Sequence, residues 1–171
     1  YPIELGVFYF RIPGEVKGKV TSVTKKKFLE VVGDGYSTLQ QLIELLPRAA
    51  KRKKYLFNKF HADLEKVIPA NKTILLEPIG NHKRGTTFIN GNNLINEKLE
   101  RVFDDVGDFE GFYYGRFDIR VKSIEDLYNG DNIKVMEING VSAEPAHIYD
   151  PEYKLVNAYK DLASHMKTIY L

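Results

Sequence analysis

The sequence predicts an α+β domain, because strands joined by hairpin-type turns are mixed with amphipathic helices. The segment IELGVFYFR, residues 3–11, is aromatic and aliphatic and predicts a strand. The residues RIPGEVKG predict a turn into a second strand over 19–32. Further strands are predicted at 72–79, 86–89, 111–121 and 133–139. The pattern favours a mostly antiparallel sheet packed with helices.

Four helices are predicted from apolar residues at helical spacing. The first begins at Ser37, with Gln40 completing a capping box, and ends near Pro47. The second covers 50–67 and the third covers about 96–106. The last helix is expected to take Asp150 as N-cap and Pro151 as its first residue. Its expected inward face consists of Leu155, Tyr159, Leu162, Met166 and Ile169.

Composition narrows the class of protein. The 171 residues suit one domain or one lobe, and 43% hydrophobic with 28% charged residues is ordinary for a globular protein. The net charge of +2 does not favour a polyanionic partner, and the absence of cysteine excludes disulfides. No apolar run approaches the ~20 residues of a membrane span. We therefore expect a cytoplasmic chain without a membrane or nucleic-acid partner.

Two neighbouring strands carry polar side chains on one face. In RFDIRV, Asp118 shares a face with Arg116 and Arg120, and in VMEIN, Glu137 shares a face with Val135 and Asn139. The strand around Glu137 looks suited to burial, so this carboxylate needs a partner. If the strands are antiparallel neighbours, Asp118 and Glu137 lie close together.

Two explanations fit a pair of neighbouring carboxylates. One is an ion-pair network that uses Arg116 and Arg120. The other is a divalent cation held by Asp118, Glu137 and the side-chain oxygen of Asn139. Hard oxygen ligands on a rigid sheet are typical of magnesium sites.

The motifs GRFD (115–118) and MEIN (136–139) resemble the magnesium-binding strands of ATP-grasp ligases. The pattern is most similar to the D-alanine–D-alanine ligase type, in which G-R-x-D is followed by an acidic residue, any residue and Asn. The resemblance is strongest over about 111–160. It implies that residues 1–171 form an ATP-grasp C-terminal lobe, and that the helical stretch of about 38–67 is an insertion.

The resemblance implies an ATP-dependent ligase that forms a C–N bond through an acyl phosphate. ATP and Mg²⁺, or Mn²⁺ as a substitute, would be the cofactors, with Asp118, Glu137 and Asn139 as metal ligands. Arg116 would contact a phosphate or a developing oxyanion. The partners would be a small carboxylate substrate and an amine acceptor. On the expectation that a preceding N-terminal portion supplies the other lobe, the chain alone binds magnesium-ATP weakly and has no turnover.

The resemblance also implies roles for three other parts of the sequence. Glu4 lies on a strand like the one that accepts hydrogen bonds from the ribose, and its alternative is a solvated side chain. Lys83 or Arg84 in the loop GNHKRG would contact the transferred phosphate, and the alternative is a solvated basic turn. The segment GVSAEPAHIYDP departs from the Ser-Pro-Gly-Met type sequence of the D-alanine ligases. Its candidate substrate contacts are Gly140, Ser142, Glu144 and His147.

Two other classes of function stay open. A non-catalytic module could keep this fold to bind a nucleotide or a protein partner. The basic run AKRKK, residues 50–54, could bind nucleic acid, although a solvated helix face is its default interpretation. The retained Asp118, Glu137 and Asn139 favour the enzyme over a degenerate module.

Overall fold

The computed structural model describes residues 1–170, which form two compact units. The first unit comprises residues 1–26 and the chain from Phe88 onward, and the second comprises residues 27–87. The strands are β1 (Ile3–Phe10), β2 (Lys19–Lys27), β3 (Leu29–Val32), β4 (Thr73–Glu77), β5 (Thr87–Asn90), β6 (Tyr114–Val121) and β7 (Ile133–Asn139). The helices are α1 (Leu39–Glu44), α2 (Lys53–Lys59), α3 (Glu97–Val106), α4 (Ile124–Asn129) and α5 (Leu155–Ile169).

The first unit is built on a five-stranded sheet with the order β5-β2-β1-β6-β7. The pairs β1–β2, β1–β6 and β6–β7 are all antiparallel, which confirms the predicted α+β class. One face of β1 and β6 enters the hydrophobic core with α3 and α4, because apolar side chains alternate along both strands. The opposite face therefore carries the even-numbered residues of both strands, including Glu4 and Asp118.

The second unit combines the two-stranded sheet β3–β4 with α1, a 3-10 helix (Pro47–Arg52) and α2. Its core is separate from that of the first unit and contains Leu29, Val31, Leu39, Ile43, Ala49, Leu56, Ile68 and Leu76. The helical stretch expected at about 38–67 lies inside this unit.

The helical boundaries in the second unit differ from the prediction. Thr38, not Ser37, caps α1, and its capping box closes on Gln41 rather than Gln40. Ser37 instead contacts Asp34. Its backbone N–H and its hydroxyl donate to the Asp34 carboxylate at 2.7 Å and 2.6 Å. These bonds hold the pKa of Asp34 down at about 2. The helix predicted over 50–67 is a 3-10 helix followed by α2, which ends at Lys59.

The segment 19–32 was predicted as one strand but forms two. Strand β2 ends at Lys27 in the five-stranded sheet, and β3 begins at Leu29 in the two-stranded sheet. The alternation of apolar residues does not mark the point where a chain changes sheets, so periodicity alone could not find it.

The last helix begins later than predicted and buries another face. Lys154, not Asp150, is the residue before α5. The Asp150 carboxylate instead accepts hydrogen bonds from the backbone N–H groups of Asn90 and Glu152. Leu155, Tyr159 and Met166 are exposed, whereas Ala158 and His165 are buried. The expectation of an inward apolar stripe was wrong because small and polar side chains make the packed face.

No helix within residues 1–170 combines the length and the apolar character needed to cross a membrane.

Candidate functional site

Strand β6 brings the predicted site residues into one row across the sheet. Asp118 lies opposite Gly6 of β1 on one side and opposite Glu137 of β7 on the other. Arg116 lies opposite Asn139 in the same register. The predicted antiparallel pairing of the two motifs is therefore confirmed.

Glu137 is exposed, which corrects the expectation that its strand is suited to burial. Strand β7 lies at the edge of the sheet, and Met136 and Ile138 remain 48% and 45% exposed. A register shift between Asp118 and Ile119 also places Val135 opposite Ile119. Because side chains alternate along β6, Val135 does not share the face of Glu137, as strict alternation had predicted.

Asp118 is buried and held by two cations. Its Oδ1 accepts from Arg116 Nε at 3.1 Å, and its Oδ2 lies 3.2 Å from Lys26 Nζ. The expected ion pair with Arg116 is therefore present. Lys26 was not found from the sequence, although it stands in the middle of the run KKK at 25–27 of β2.

Glu4 extends this arrangement along the same face. Its Oε1 lies 3.0 Å from Lys26 Nζ, and its Oε2 lies 2.9 Å from Arg120 Nη2. Glu4 is 4% exposed, so it is not the solvated side chain of the alternative interpretation. We call Arg116, Asp118, Lys26, Glu4 and Arg120 the charged row; it contains three cations and two carboxylates.

Gly6 provides the space in which Arg116 and Asp118 meet. A Cβ at this position would lie 3.1 Å from Asp118 Oδ1 and 3.2 Å from the Arg116 Cδ. A larger residue in the middle of β1 would push against both partners of the ion pair. The glycine is explained by this close approach, since its φ is ordinary.

Asp118, Glu137 and Asn139 provide the oxygen ligands that a hard divalent cation prefers, and they lie on paired strands. Two carboxylates lie opposite each other, and the Nδ2 of Asn139 is buried without a hydrogen-bond partner among residues 1–170. An unpaired Nδ2–H group is costly, and an acceptor such as a phosphate oxygen would relieve that cost, whereas a cation would bind the Oδ1 of Asn139. Among the described residues no three His, Asp or Glu side chains are grouped as for a metal ion, so the amide would be needed as a third ligand.

Lys83 and Arg84 belong to the second unit. Arg84 Nη1 lies 3.8 Å from the buried carboxylate of Glu77. Lys83 is exposed and has no carboxylate partner within residues 27–87.

The segment after Asn139 is tied to the charged row through its backbone. Arg116 Nη1 donates to the carbonyl oxygen of Glu144 at 3.0 Å, so one guanidinium contacts both Asp118 and this segment. The Glu144 carboxylate accepts a hydrogen bond from Tyr149, which raises the pKa of that tyrosine to about 12. Ser142 is exposed, and a Cβ at Gly140 would meet nothing within 4 Å.

His147 is buried and uses both ring nitrogens. Nδ1 lies 2.7 Å from Ser22 Oγ, and Nε2 lies 3.0 Å from Asp161 Oδ2. Tyr153 donates to the same Asp161 oxygen at 2.6 Å, and this bond raises the pKa of Tyr153 to about 12. These hydrogen bonds connect β2 to α5 through His147, which lies in the segment after β7. The sequence alone did not reveal these contacts.

Comparison with known proteins bears on the fold of this chain. No family model matches the chain, and no curated protein matches it. The crystal structure of a bifunctional glutathione synthetase from Pasteurella multocida resembles it with a TM-score of 0.60 at 12% identity. The match covers 97% of this chain and 24% of the synthetase, so the chain corresponds to about a quarter of that protein. The likeness confirms the predicted fold.

Proposed function

We propose that the chain is the C-terminal lobe of an ATP-dependent ligase that joins a carboxylate to an amine. One observation carries the proposal: Asp118 lies opposite Glu137, with Asn139 opposite Arg116 in the same register. This pairing supports the proposal, because GRFD and MEIN resemble a pair of magnesium-binding strands. The ATP-grasp fold of the solved neighbour supports it.

Asp118, Glu137 and Asn139 would hold magnesium, or manganese as a substitute. When bound, the metal would neutralise charge on the ATP phosphates. Glu137 is exposed and accessible to a metal ion, and the unpaired Nδ2–H group of Asn139 could donate to a phosphate oxygen while its Oδ1 binds the metal. Asp118 would exchange at least one of its contacts with Lys26 and Arg116.

The cations of the charged row would then serve the phosphates. Arg116 is a forked donor 19% exposed at its side chain, and its release from Asp118 leaves it available to a phosphoryl oxygen. Lys26 lies between Asp118 and Glu4, the predicted partner of the ribose. Lys26 would then lie between the proposed metal ligand and the proposed ribose contact, where its charge could attract a phosphate of ATP. Lys83 or Arg84 remains the proposed contact of the transferred phosphate.

The reaction would proceed in two displacements. A substrate carboxylate oxygen attacks the γ-phosphorus of ATP, the bond to the bridging oxygen breaks, and ADP leaves. The nitrogen of an amine then attacks the acyl carbonyl, a C–N bond forms, and phosphate leaves while the amine loses a proton. Arg116 would stabilise the negative charge that develops at the transferring group.

We propose a narrower class of substrate than the fold alone requires, namely a small carboxylic acid. The D-alanine–D-alanine ligase resemblance favours a small amino acid as the carboxylate. The segment from Gly140 to Glu144 differs from the D-alanine pattern, so another small acid and amine are proposed to bind there. Gly140 and Ser142 are accessible for such contacts, whereas both nitrogens of His147 are already used.

A second candidate is a nucleotide- or partner-binding module without catalysis. The observation that favours it is the pairing of Asp118 with both Lys26 and Arg116, which leaves neither Asp118 oxygen free. Magnesium must compete with these cations in the enzyme but not in such a module.

Phosphate release by the full-length protein, measured with ATP and a panel of amino acids, tests the proposal. Wild-type protein should release phosphate with at least one acid and amine pair, and Asp118→Asn and Glu137→Gln should each reduce turnover by about 100-fold or more. If both variants ligate like the wild type, the site assignment is wrong. If wild type binds magnesium-ATP without releasing phosphate for any pair, the non-catalytic module is favoured.

A further inference from the structure

A basic depression lies within the second unit. It is formed by the 3-10 helix Pro47–Arg52 and the loop 82–85, and it has a volume of about 420 Å³. Its lining includes four cationic side chains and one imidazole: Arg48, Lys51, Arg52, Lys83 and His82. A concave surface of one charge sign concentrates ions of the opposite sign.

The cations of this depression are only partly neutralised. Glu77, 2% exposed, lies 3.3 Å from Arg52 and 3.8 Å from Arg84. Within residues 27–87, no carboxylate lies within 4.0 Å of a side-chain nitrogen of Arg48, Lys51 or Lys83. The depression therefore carries an excess of positive charge.

Arg48 is fixed before any ligand arrives. Its Nε donates to the carbonyl oxygen of Gly85 at 3.0 Å, and its Nη2 donates to that of Thr86 at 2.7 Å. These bonds tie the 3-10 helix to the loop and orient the guanidinium, while Nη1 makes no hydrogen bond within residues 27–87. A cation that is already ordered loses less conformational entropy when it binds an anion.

The loop that faces Arg48 has a fixed turn. Gly85 takes φ +101, where other residues are strained, and a Cβ there would lie 2.9 Å from Leu29 Cδ2. Asn81 caps the turn by accepting from the Lys83 backbone N–H at 2.8 Å. Lys83 is therefore presented from an ordered backbone on the side opposite the 3-10 helix.

His82 adds a neutral group at the rim. Its Nδ1 lies 3.4 Å from Arg48 Nη2. Burial and the charge of Arg48 both lower the pKa of His82, so the imidazole is neutral at pH 7. A bound anion would offset the charge of Arg48 and raise this pKa.

We infer that this depression is a second anion-binding site, which takes a small phosphate- or carboxylate-bearing molecule through Arg48, Lys51 and Lys83. It needs no magnesium and neither Asp118 nor Glu137, and assigning Lys83 to it leaves Arg84 as the contact of the transferred phosphate. A small anion fits better than nucleic acid, because Lys53 of the basic run is paired with Glu44 at 2.7 Å and the free cations converge on one concavity. The site does not depend on the proposed ligase activity.

Calorimetric titration of the 171-residue chain with sodium pyrophosphate, in EDTA and at constant ionic strength, tests this site. Lys51→Ala and Lys83→Ala should each weaken pyrophosphate binding by about three- to tenfold. Lys54→Ala is the matched control: it removes a lysine of the same basic run that does not line the depression, and it should change the affinity less than about twofold. Equal affinities for the three lysine variants would overturn the inference.

Two further measurements separate this site from other sources of binding. The Asp118→Asn/Glu137→Gln double variant should bind pyrophosphate in EDTA as the wild type does, even if it no longer binds magnesium-ATP. Loss of pyrophosphate binding in that variant would place the anion at the proposed magnesium site and contradict a second one. Citrate in place of pyrophosphate distinguishes a carboxylate ligand from a phosphate ligand. Binding of a 20-nucleotide RNA with no binding of either small anion would also contradict it.

Discussion

Asp118 and Glu137 face each other across strands β6 and β7, yet their carboxylates have opposite surroundings. Asp118 is 5% exposed and contacts Lys26 and Arg116, whereas Glu137 lies on the exposed edge strand. Like charges directly opposite each other on a sheet would repel. The cations beside Asp118 offset that repulsion without occupying Glu137. One carboxylate of the pair is thus structural in the free protein, and the other is available to a ligand.

This difference predicts that two matched substitutions reduce stability by very different amounts. Asp118→Asn removes a buried charge that satisfies two cations, and it should reduce the free energy of unfolding by about 2 to 4 kcal/mol. Glu137→Gln should change it by less than about 0.5 kcal/mol, because the side chain is exposed. Urea denaturation of both variants measures the difference. Equal losses would show that Glu137 has structural contacts after all.

Lys26 should restrain the metal site as well as stabilise the sheet. Lys26→Met leaves Glu4 and Asp118 buried with Arg120 and Arg116 alone, and should cost about 2 to 4 kcal/mol. Magnesium should recover more stability in this variant than in the wild type, because Asp118 Oδ2 becomes available. Thermal unfolding with and without 10 mM magnesium, at matched ionic strength, measures the recovery. Potassium chloride at the same ionic strength is the control. If it restores as much stability as magnesium does, the effect is charge screening and not metal binding.

The pairing of Asp118 with Glu137 could be predicted from the sequence, because polar residues two positions apart mark one face of each strand, but the register shift after Asp118 could not. The role of Lys26 could not be predicted, because its partners Glu4 and Asp118 come from β1 and β6, and only the sheet order places β1 beside β2 and β6 one strand further. The exposure of Glu137 was mispredicted for a related reason. Alternation identifies the faces of a strand but does not tell whether the strand lies at an edge.

The packing of α5 shows another limit of periodicity. Its apolar residues Leu155, Tyr159 and Met166 recur at helical spacing, but the sheet contacts the face with Ala158 and His165. His165 stacks edge-on against Phe8 at 4.6 Å between ring centroids. A polar ring that packs among aromatic residues has no signature in a hydrophobicity pattern.

Gly6 should prove sensitive to a single methyl group. Gly6→Ala places a Cβ 3.1 Å from Asp118 Oδ1, so either the carboxylate or Arg116 must shift. We expect a loss of about 1 to 2 kcal/mol and weaker magnesium binding. Gly140→Ala is the control for stability, since no atom lies within 4 Å of its new methyl group. Equal denaturation midpoints for the two variants would contradict the close approach at Gly6.

His165 should make stability depend on pH. Burial, with a smaller effect of the neighbouring His147, lowers the pKa of His165 from 6.5 to about 4. Between these values the unfolded chain binds a proton that the folded chain excludes, so stability falls as the pH drops from about 6.5 to 4. His165→Gln should reduce this dependence by about 1 to 3 kcal/mol over the range. His61→Gln, at an exposed histidine, should leave the pH profile of urea unfolding unchanged.

His147 should hold the segment from Gly140 to Tyr149 against the sheet. His147→Ala removes its contacts with Ser22 and Asp161, which leaves the buried Ser22 hydroxyl without that partner and Asp161 with Tyr153. We expect a loss of about 2 to 4 kcal/mol, concentrated near the segment rather than spread over the fold. Hydrogen exchange should therefore accelerate at the amides of Ala143, Ile148 and Asp150 more than at those of β1. Ser22→Ala removes one of the two contacts and should give a smaller acceleration at the same amides. Uniform acceleration over β1 and the segment in both variants would instead show that His147 supports the whole sheet.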